Sequence, residues 1–182
     1  MRIIAGSRRG HKLIEFEGDN IRPTTDRVKE SVFNLIQPFL AGSRVLDLFS
    51  GSGALAFEAV SRGSASAVCV DMDKKSIEVI EKNRQRLQFE REVTIVYQSA
   101  EQYLAEANEP FDVILLDPPY NKGIIKPVIH LIQTRKLLDG NGIIMLESDS
   151  TDEHSDVEGL ETYRQRRYGR TYVTIYKQGE CS

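Results

Sequence analysis

Arg44-Val45-Leu46-Asp47-Leu48-Phe49-Ser50-Gly51-Ser52-Gly53 opens on a short apolar run and closes on two glycines one residue apart. The run reads as a buried strand that stops at a tight turn. The Ala-rich stretch from Ala54 to Arg62, ended by Gly63, reads as a helix with a C-terminal glycine. Gly51 to Ala56 fits the G-x-G-x-x-A form of a nucleotide-binding turn, in which glycines let the backbone approach a ligand where a Cβ would collide.

Outward from this turn, strand-like and helix-like segments alternate. Ala67 to Asp71, Val93 to Tyr97, Phe111 to Leu116 and Gly142 to Glu147 are short β-branched or aliphatic runs. Between them, helices are expected from Ser76 through Phe89, around Tyr103 and Leu104, and from Ile124 to Leu138, with Pro127 in the first turn of the last. Tyr163 to Tyr176 is basic and aromatic with alternating polarity, the pattern of a closing antiparallel hairpin. Thr24 or Thr25 is placed to cap a helix carrying Val28, Val32, Leu35 and Ile36, and the first dozen residues read as a small hairpin. The expected architecture is α/β: a doubly wound, mostly parallel, seven-stranded sheet with a C-terminal antiparallel hairpin. Residues 1–40 form a small N-terminal extension and residues 41–182 the main domain.

The chain has 182 residues, 40% of them apolar and 28% charged, the mix of an ordinary globular domain. No aliphatic run approaches the ~20 residues that span a bilayer, and the N-terminus lacks a signal-peptide core. Two cysteines, Cys69 and Cys181, with three histidines exclude a zinc framework or a disulfide scaffold, so a cytoplasmic, metal-free protein is expected. The net charge of −3 argues against a nucleic-acid binder until its distribution is read. Met1 to Lys12 and Arg164 to Lys177 carry only bases, and Glu147 to Glu161 carries only acids. Clustered cations govern phosphate binding more than the total does; short charge runs as solvated faces are the competing reading. The acidic run carries no motif and is assigned no role.

Asp71 ends the second strand, where a carboxylate can accept both hydroxyl hydrogens of a ribose; a helix N-cap is its other reading, although Asp73 or Ser76 suits that task better. Asp47 lies inside the first strand, and no base stands near the turn to neutralise phosphates. A buried negative charge there repels a pyrophosphate but suits a cationic amino-acid moiety, which favours S-adenosylmethionine over NAD. A hydrogen-bonded structural acid is the alternative for Asp47.

Asp117-Pro118-Pro119-Tyr120 follows the fourth strand, and ligands of such sheets bind beyond the carboxyl ends of the strands. Consecutive prolines fix the backbone, so the Pro118 carbonyl and the Asp117 carboxylate hold set directions. The amino group of a base is a poor nucleophile because its lone pair is delocalised into the ring. Two acceptors gripping its N–H bonds favour a pyramidal nitrogen that can attack a methyl group. Tyr120 offers a face for stacking, worth ~1–3 kcal/mol. A proline-rich strand end with Tyr120 as plain surface is the alternative.

Val45 to Gly53, Asp71 and Asp117 to Tyr120 resemble class I S-adenosylmethionine-dependent methyltransferases acting on amino nitrogens. Arg2-Ile3-Ile4-Ala5-Gly6, Arg9-Gly10-His11-Lys12-Leu13 and Arg22-Pro23-Thr24-Thr25-Asp26-Arg27 through Asn34 are similar to the bacterial 16S ribosomal RNA guanine-N2 methyltransferase family, as is Tyr168 to Tyr176. The resemblance implies methylation of N2 of one guanine in 16S ribosomal RNA, within an assembling or assembled small subunit. It implies that Asp117, Pro118, Pro119 and Tyr120 hold the base. Asp47, Phe49, Ser50, Gly51, Gly53, Asp71, Met72, Ser99 and Ala100 would then hold the cofactor, with Arg22 and Thr24 near its methionine end. Capping of the next helix is an equal reading of Ser99. Arg8, Arg9, Lys12, Arg27, Arg166, Arg167 and Arg170 become candidates for RNA phosphate contacts; Arg27 pairing with Glu30 or Asp26 is the structural alternative. Competing functions are adenine-N6 methylation of DNA or RNA, a non-catalytic RNA-binding member of the fold, and an NAD-linked oxidoreductase. The last lacks any residue placed for hydride chemistry after the fourth strand.

Overall fold

The computed structural model describes residues 1–16, 26–119, 123–149 and 159–179. Five parallel strands, β1 (Arg44–Leu48), β2 (Ser66–Asp71), β3 (Val93–Tyr97), β4 (Phe111–Leu116) and β5 (Leu138–Ser148), are extended by an antiparallel hairpin of β6 (Leu160–Tyr168) and β7 (Thr171–Gln178), with β7 antiparallel to β5. The order across the sheet is β3-β2-β1-β4-β5-β7-β6. The central strands are apolar along their length because helices cover both faces. Val45, Val113, Leu115 and Met145 face a cluster built with α1 (Asp26–Ile36), α2 (Ala54–Ser61) and α3 (Lys74–Leu87). Leu46, Leu48, Ile114, Leu116 and Leu146 face the opposite cluster, with α4 (Ala100–Glu106) and α5 (Ile125–Thr134).

The succession of strands reverses between β1 and β4, and the crevice there is where such sheets bind ligands. Leu48 lies beside Val70 and Leu116, and Leu116 beside Leu146. The carboxyl ends of β2, β1, β4 and β5 therefore finish almost level and form one rim.

The N-terminal hairpin closes at the Arg2–Lys12 bridge and presses against α2. A Cβ on Gly6 would sit 1.7 Å from the Ser61 carbonyl oxygen, so only glycine fits this approach. Every residue of α2 is buried, since the hairpin covers the side turned away from the sheet. Glu58 lies at the centre of that contact. Its carboxylate accepts from the amides of Ile4 (2.9 Å) and Ala5 (3.1 Å), and pairs with Arg62 (2.8 Å) and Lys29 (3.3 Å). Ile3, Leu13, Val32 and Phe33 join the same apolar cluster as Val45 and Phe57.

Two local readings change. The helix expected to reach Leu138 ends at Thr134, because Lys136 takes a left-handed conformation (φ 54°) and Leu138 already begins β5. Asp26 pairs with Arg2 (3.2 Å) rather than with Arg27, and Arg27 has no ion pair among the described residues. Among those residues, no helix is long and apolar enough to cross a membrane.

Candidate active site

The turn after β1 is pinned from several sides. The Ser50 amide donates to the Val70 carbonyl (3.1 Å), its hydroxyl donates to the Asp47 carbonyl (2.6 Å), and the Gly53 amide donates to the Ser50 carbonyl (2.7 Å). Phe49, Gly51 and Gly53 all adopt positive φ, at 63°, 55° and 78°. At Gly53 a Cβ would meet the Phe57 ring at 2.5 Å, whereas at Gly51 it would enter open space, leaving room over the turn.

Asp47 is buried at the base of this turn. One carboxylate oxygen accepts from the Ala56 amide at 3.2 Å, and Oδ1 has no hydrogen-bond partner among the described residues. Burial pushes its pKa up to about 8, opposed by the Ala56 hydrogen bond and reinforced by Asp71. An orphaned buried carboxylate oxygen is costly, and a bound cation would relieve it. Asp47 is thus hydrogen-bonded through one oxygen, while the other has no partner among the described residues.

Asp71 bridges the turn to the start of α3, accepting from the amides of Gly51 and Asp73, each at 2.8 Å. Burial raises its pKa and these two bonds oppose the rise. The N-cap of α3 is Asp73, which accepts from the Lys75 amide at 3.1 Å, so Asp71 is not spent on capping. Met72 beside it is exposed (68%), a large apolar side chain left against the rim. Ser99 caps α4: its hydroxyl accepts from the Gln102 amide (3.2 Å) while the Gln102 side chain accepts from the Ser99 amide (3.4 Å), and Ala100 is buried.

On the far side of β1, Asp117 follows β4 with Pro118 buried and Pro119 exposed. Burial raises the Asp117 pKa well above the carboxylate range, and the neighbouring charges of Glu147 and then Asp47 raise it further. Glu147, near the end of β5, is 5% exposed. Sequence reasoning gave it no role because it opens the acidic run; its position level with Asp117 on a parallel strand was the available signal. Among the described residues, no His, Cys, Asp and Glu side chains are grouped to hold a metal ion. Tyr120, Arg22 and Thr24 lie outside the described residues.

Asn83 on α3 was also missed. It is fully buried, accepts from the Ile14 amide (2.7 Å), and donates to the carbonyls of Ile14 and Ser52, both at 3.0 Å. One side chain thus joins the N-terminal segment to the glycine turn.

The basic residues divide. Arg8 is half-buried, donating from Nε to the Leu87 carbonyl (2.7 Å) and covering the Phe89 ring at 5.1 Å, so it locks the hairpin onto α3. Arg9 and Lys12 are exposed; Arg9 and Arg27 line a cleft with Arg2, Asp26 and Glu30. Arg166, Arg167 and Arg170 are exposed on β6 and its turn into β7. Glu147 lies beside Val173, and Val173 beside Arg166, which brings this cluster to the same rim as Asp117.

A seven-stranded sheet of this order, with a glycine turn after β1 and a rim acid at the end of β2, defines a class I S-adenosylmethionine-dependent methyltransferase. The chain belongs to the family described as "Conserved hypothetical protein 95", which matches residues 1–177. It is 40% identical to "Putative rRNA methyltransferase YlbH" of Bacillus subtilis (strain 168), over 98% of this chain and 99% of that one. It is 36% identical to "Ribosomal RNA small subunit methyltransferase D" of Escherichia coli (strain K12), over 99% of this chain and 92% of that one. The solved structure titled "Putative methyltransferase yhhF from Escherichia coli" superposes with a TM-score of 0.89 at 32% identity, covering 98% of this chain and 97% of that one.

Proposed function

We propose that the protein methylates the exocyclic N2 of a specific guanine in 16S ribosomal RNA, within the small ribosomal subunit or its assembly intermediate, in the cytoplasm. Asp117 at the rim, with the exposed arginines of β6 on the same rim, is the observation that carries this reading. Relatives named as small-subunit ribosomal RNA methyltransferases support it. Residues 1–40 act as an extension seated on the methyltransferase domain of residues 41–182.

S-adenosylmethionine, when bound, supplies a methyl carbon already activated by a sulfonium, so the chemistry calls for no metal. Asp47 would hold its cationic amino-acid part through Oδ1, which is unpartnered among the described residues. The turn residues Phe49, Ser50, Gly51 and Gly53 would let it approach the backbone, and Asp71 would accept hydrogen bonds from the ribose hydroxyls. Met72, Ser99 and Ala100 would line the adenine, with Arg22 and Thr24 near the methionine end.

The Asp117 carboxylate and the Pro118 carbonyl would accept the two N–H bonds of the guanine amino group and favour a pyramidal nitrogen, with Pro119 fixing that geometry and Tyr120 stacking on the base. Holding reactants at near-attack distance contributes ~7–11 kcal/mol to lowering a barrier of this kind. The methylated nitrogen then loses a proton, for which no strong base is required. A base that must enter such a pocket comes from a loop or is rotated out of a helix. Arg9, Lys12, Arg27, Arg166, Arg167 and Arg170 would hold the surrounding phosphates; Arg8 contributes by fixing the hairpin.

Mass mapping of 16S ribosomal RNA from cells lacking the protein tests this, together with transfer of labelled methyl to small subunits from those cells. One missing N2-methylguanosine, restored by the purified protein, is expected. Loss of an N6-methyladenosine instead would replace guanine by adenine, and an unchanged map would overturn the assignment.

A further inference from the structure

We infer that Glu147 is a specificity-determining residue: its carboxylate, held beside Asp117, accepts the N1–H of the target base and so selects guanine over bases with an unprotonated N1. This rests on the guanine-N2 reading above.

The register supplies the geometry. Leu116 and Leu146 are partners on adjacent parallel strands, so Asp117 and Glu147, the next residue on each, emerge side by side at the rim. Along β5, Met145 packs into the cluster on the α1–α3 face and Leu146 into the opposite one; Glu147, two residues after Met145, is directed to the α1–α3 face. Asp47 shares that face, two residues beyond Val45. Glu147 is 5% exposed, so its carboxylate belongs to the wall of the rim and not to solvent.

The sheet order then assigns the two sides. The turn after β1, Asp71 at the end of β2 and Ser99 after β3 occupy one side of the crevice, which is the cofactor's. β5 lies on the other side of β4, where the second reactant must sit. A carboxylate there lies one strand from Asp117, about 4.8 Å away in the backbone. On guanine, N1–H and N2–H are adjacent donors about as far apart as two hydrogen-bonded acceptors need to be. Adenine presents an amino donor next to an N1 lone pair, which a carboxylate repels. Two acidic side chains brought together in a buried wall repel each other; a ligand edge with two neighbouring donors relieves that repulsion, and a donor–acceptor edge does not.

2-Aminopurine is the discriminating probe, because it keeps the amino group of guanine but has an N1 lone pair in place of N1–H. The substrates are small subunits reconstituted from ligated 16S ribosomal RNA carrying guanine or 2-aminopurine at the mapped methylated position. Single-turnover methyl transfer by the full-length protein is measured on both. Wild type is expected to prefer guanine by on the order of 100-fold. Glu147→Gln, whose amide can donate to N1, is expected to bring the ratio to within a few-fold, with S-adenosylhomocysteine affinity changed less than about threefold. Thermal melting checks that the variant is folded, since a purely structural role would slow both substrates equally and leave the ratio alone. Equal wild-type rates on the two bases would overturn the inference even if the variant failed to fold, as would an unchanged ratio in a folded variant. Wild type that methylates neither substrate would instead count against the guanine-N2 reading itself.

Discussion

Replacing Glu58 by glutamine tests how firmly the N-terminal extension is bound into the fold. Glu58 and Lys29 are both fully buried, 3.3 Å apart, and the Lys29 ammonium also donates to the Arg2 carbonyl at 2.5 Å. Glutamine keeps the volume but removes the charge, and it has one acceptor oxygen where both carboxylate oxygens are used. Breaking a buried pair while leaving the other charge in place costs about 3–5 kcal/mol. For a domain of this size that lowers the melting temperature by about 6–20 °C. The pH dependence has a definite sign. Burial lowers the Lys29 pKa and Glu58 opposes that lowering, so the variant's Lys29 sheds its proton at lower pH than wild type. Over that window the folded variant binds fewer protons than folded wild type, so its stability rises with pH relative to wild type. Melting followed by circular dichroism between pH 7 and pH 10 should show a deficit that narrows with rising pH. A deficit under about 2 °C, or one that widens with pH, would refute the reasoning.

Three further outcomes are expected. Calorimetric affinity for S-adenosylhomocysteine should tighten as pH rises from 6 toward about 8, where Asp47 ionises, by at most about tenfold per pH unit, and Asp47→Asn should bind weakly with a flat profile; a flat wild-type profile would remove Asp47 from the site. Asp117→Ala should abolish methyl transfer to small subunits while leaving that affinity within a few-fold, and undiminished transfer would exclude the carboxylate from the reaction. Reversing both Arg166 and Arg167 to glutamate should weaken RNA binding and reduce the slope of log affinity against log salt by about 1.4–1.8, measured by filter binding; an unchanged slope would place the phosphate contacts elsewhere.

Strands β1, β2 and β4 were legible because burial makes them short, largely apolar runs, stopped by a glycine turn, an Asp and an Asp-Pro respectively. The end of α5 was not, since Leu137 and Leu138 continue its apolar spacing and only the left-handed Lys136 breaks it. Asp47, Asp71 and the turn glycines could be found because each occupies a fixed offset from a strand end. Glu58 and Asn83 escaped for the opposite reason: among their partners are backbone groups of residues 4, 5 and 14, distant in sequence, and nothing local distinguishes a buried polar helix residue from an exposed one. Glu147 was concealed by its acidic neighbours, although the strand register brings it beside Asp117. Arg8 shows the limit of reading charge alone, because one member of a basic cluster can be an internal fastener.

The outermost position of β6 gives its arginines a second duty. An outer strand offers a row of unpaired backbone groups to which another molecule can add a strand, and Arg164, Arg166 and Arg167 line this one with like charge. Washing nucleic acid from the protein with molar salt, where charges are screened beyond about 3 Å, silences that mutual repulsion as well. Preparations stripped in this way should be dilute, and glutamate reversals, which keep the border charged, are better probes of RNA contact than alanines, which would invite edge-to-edge association.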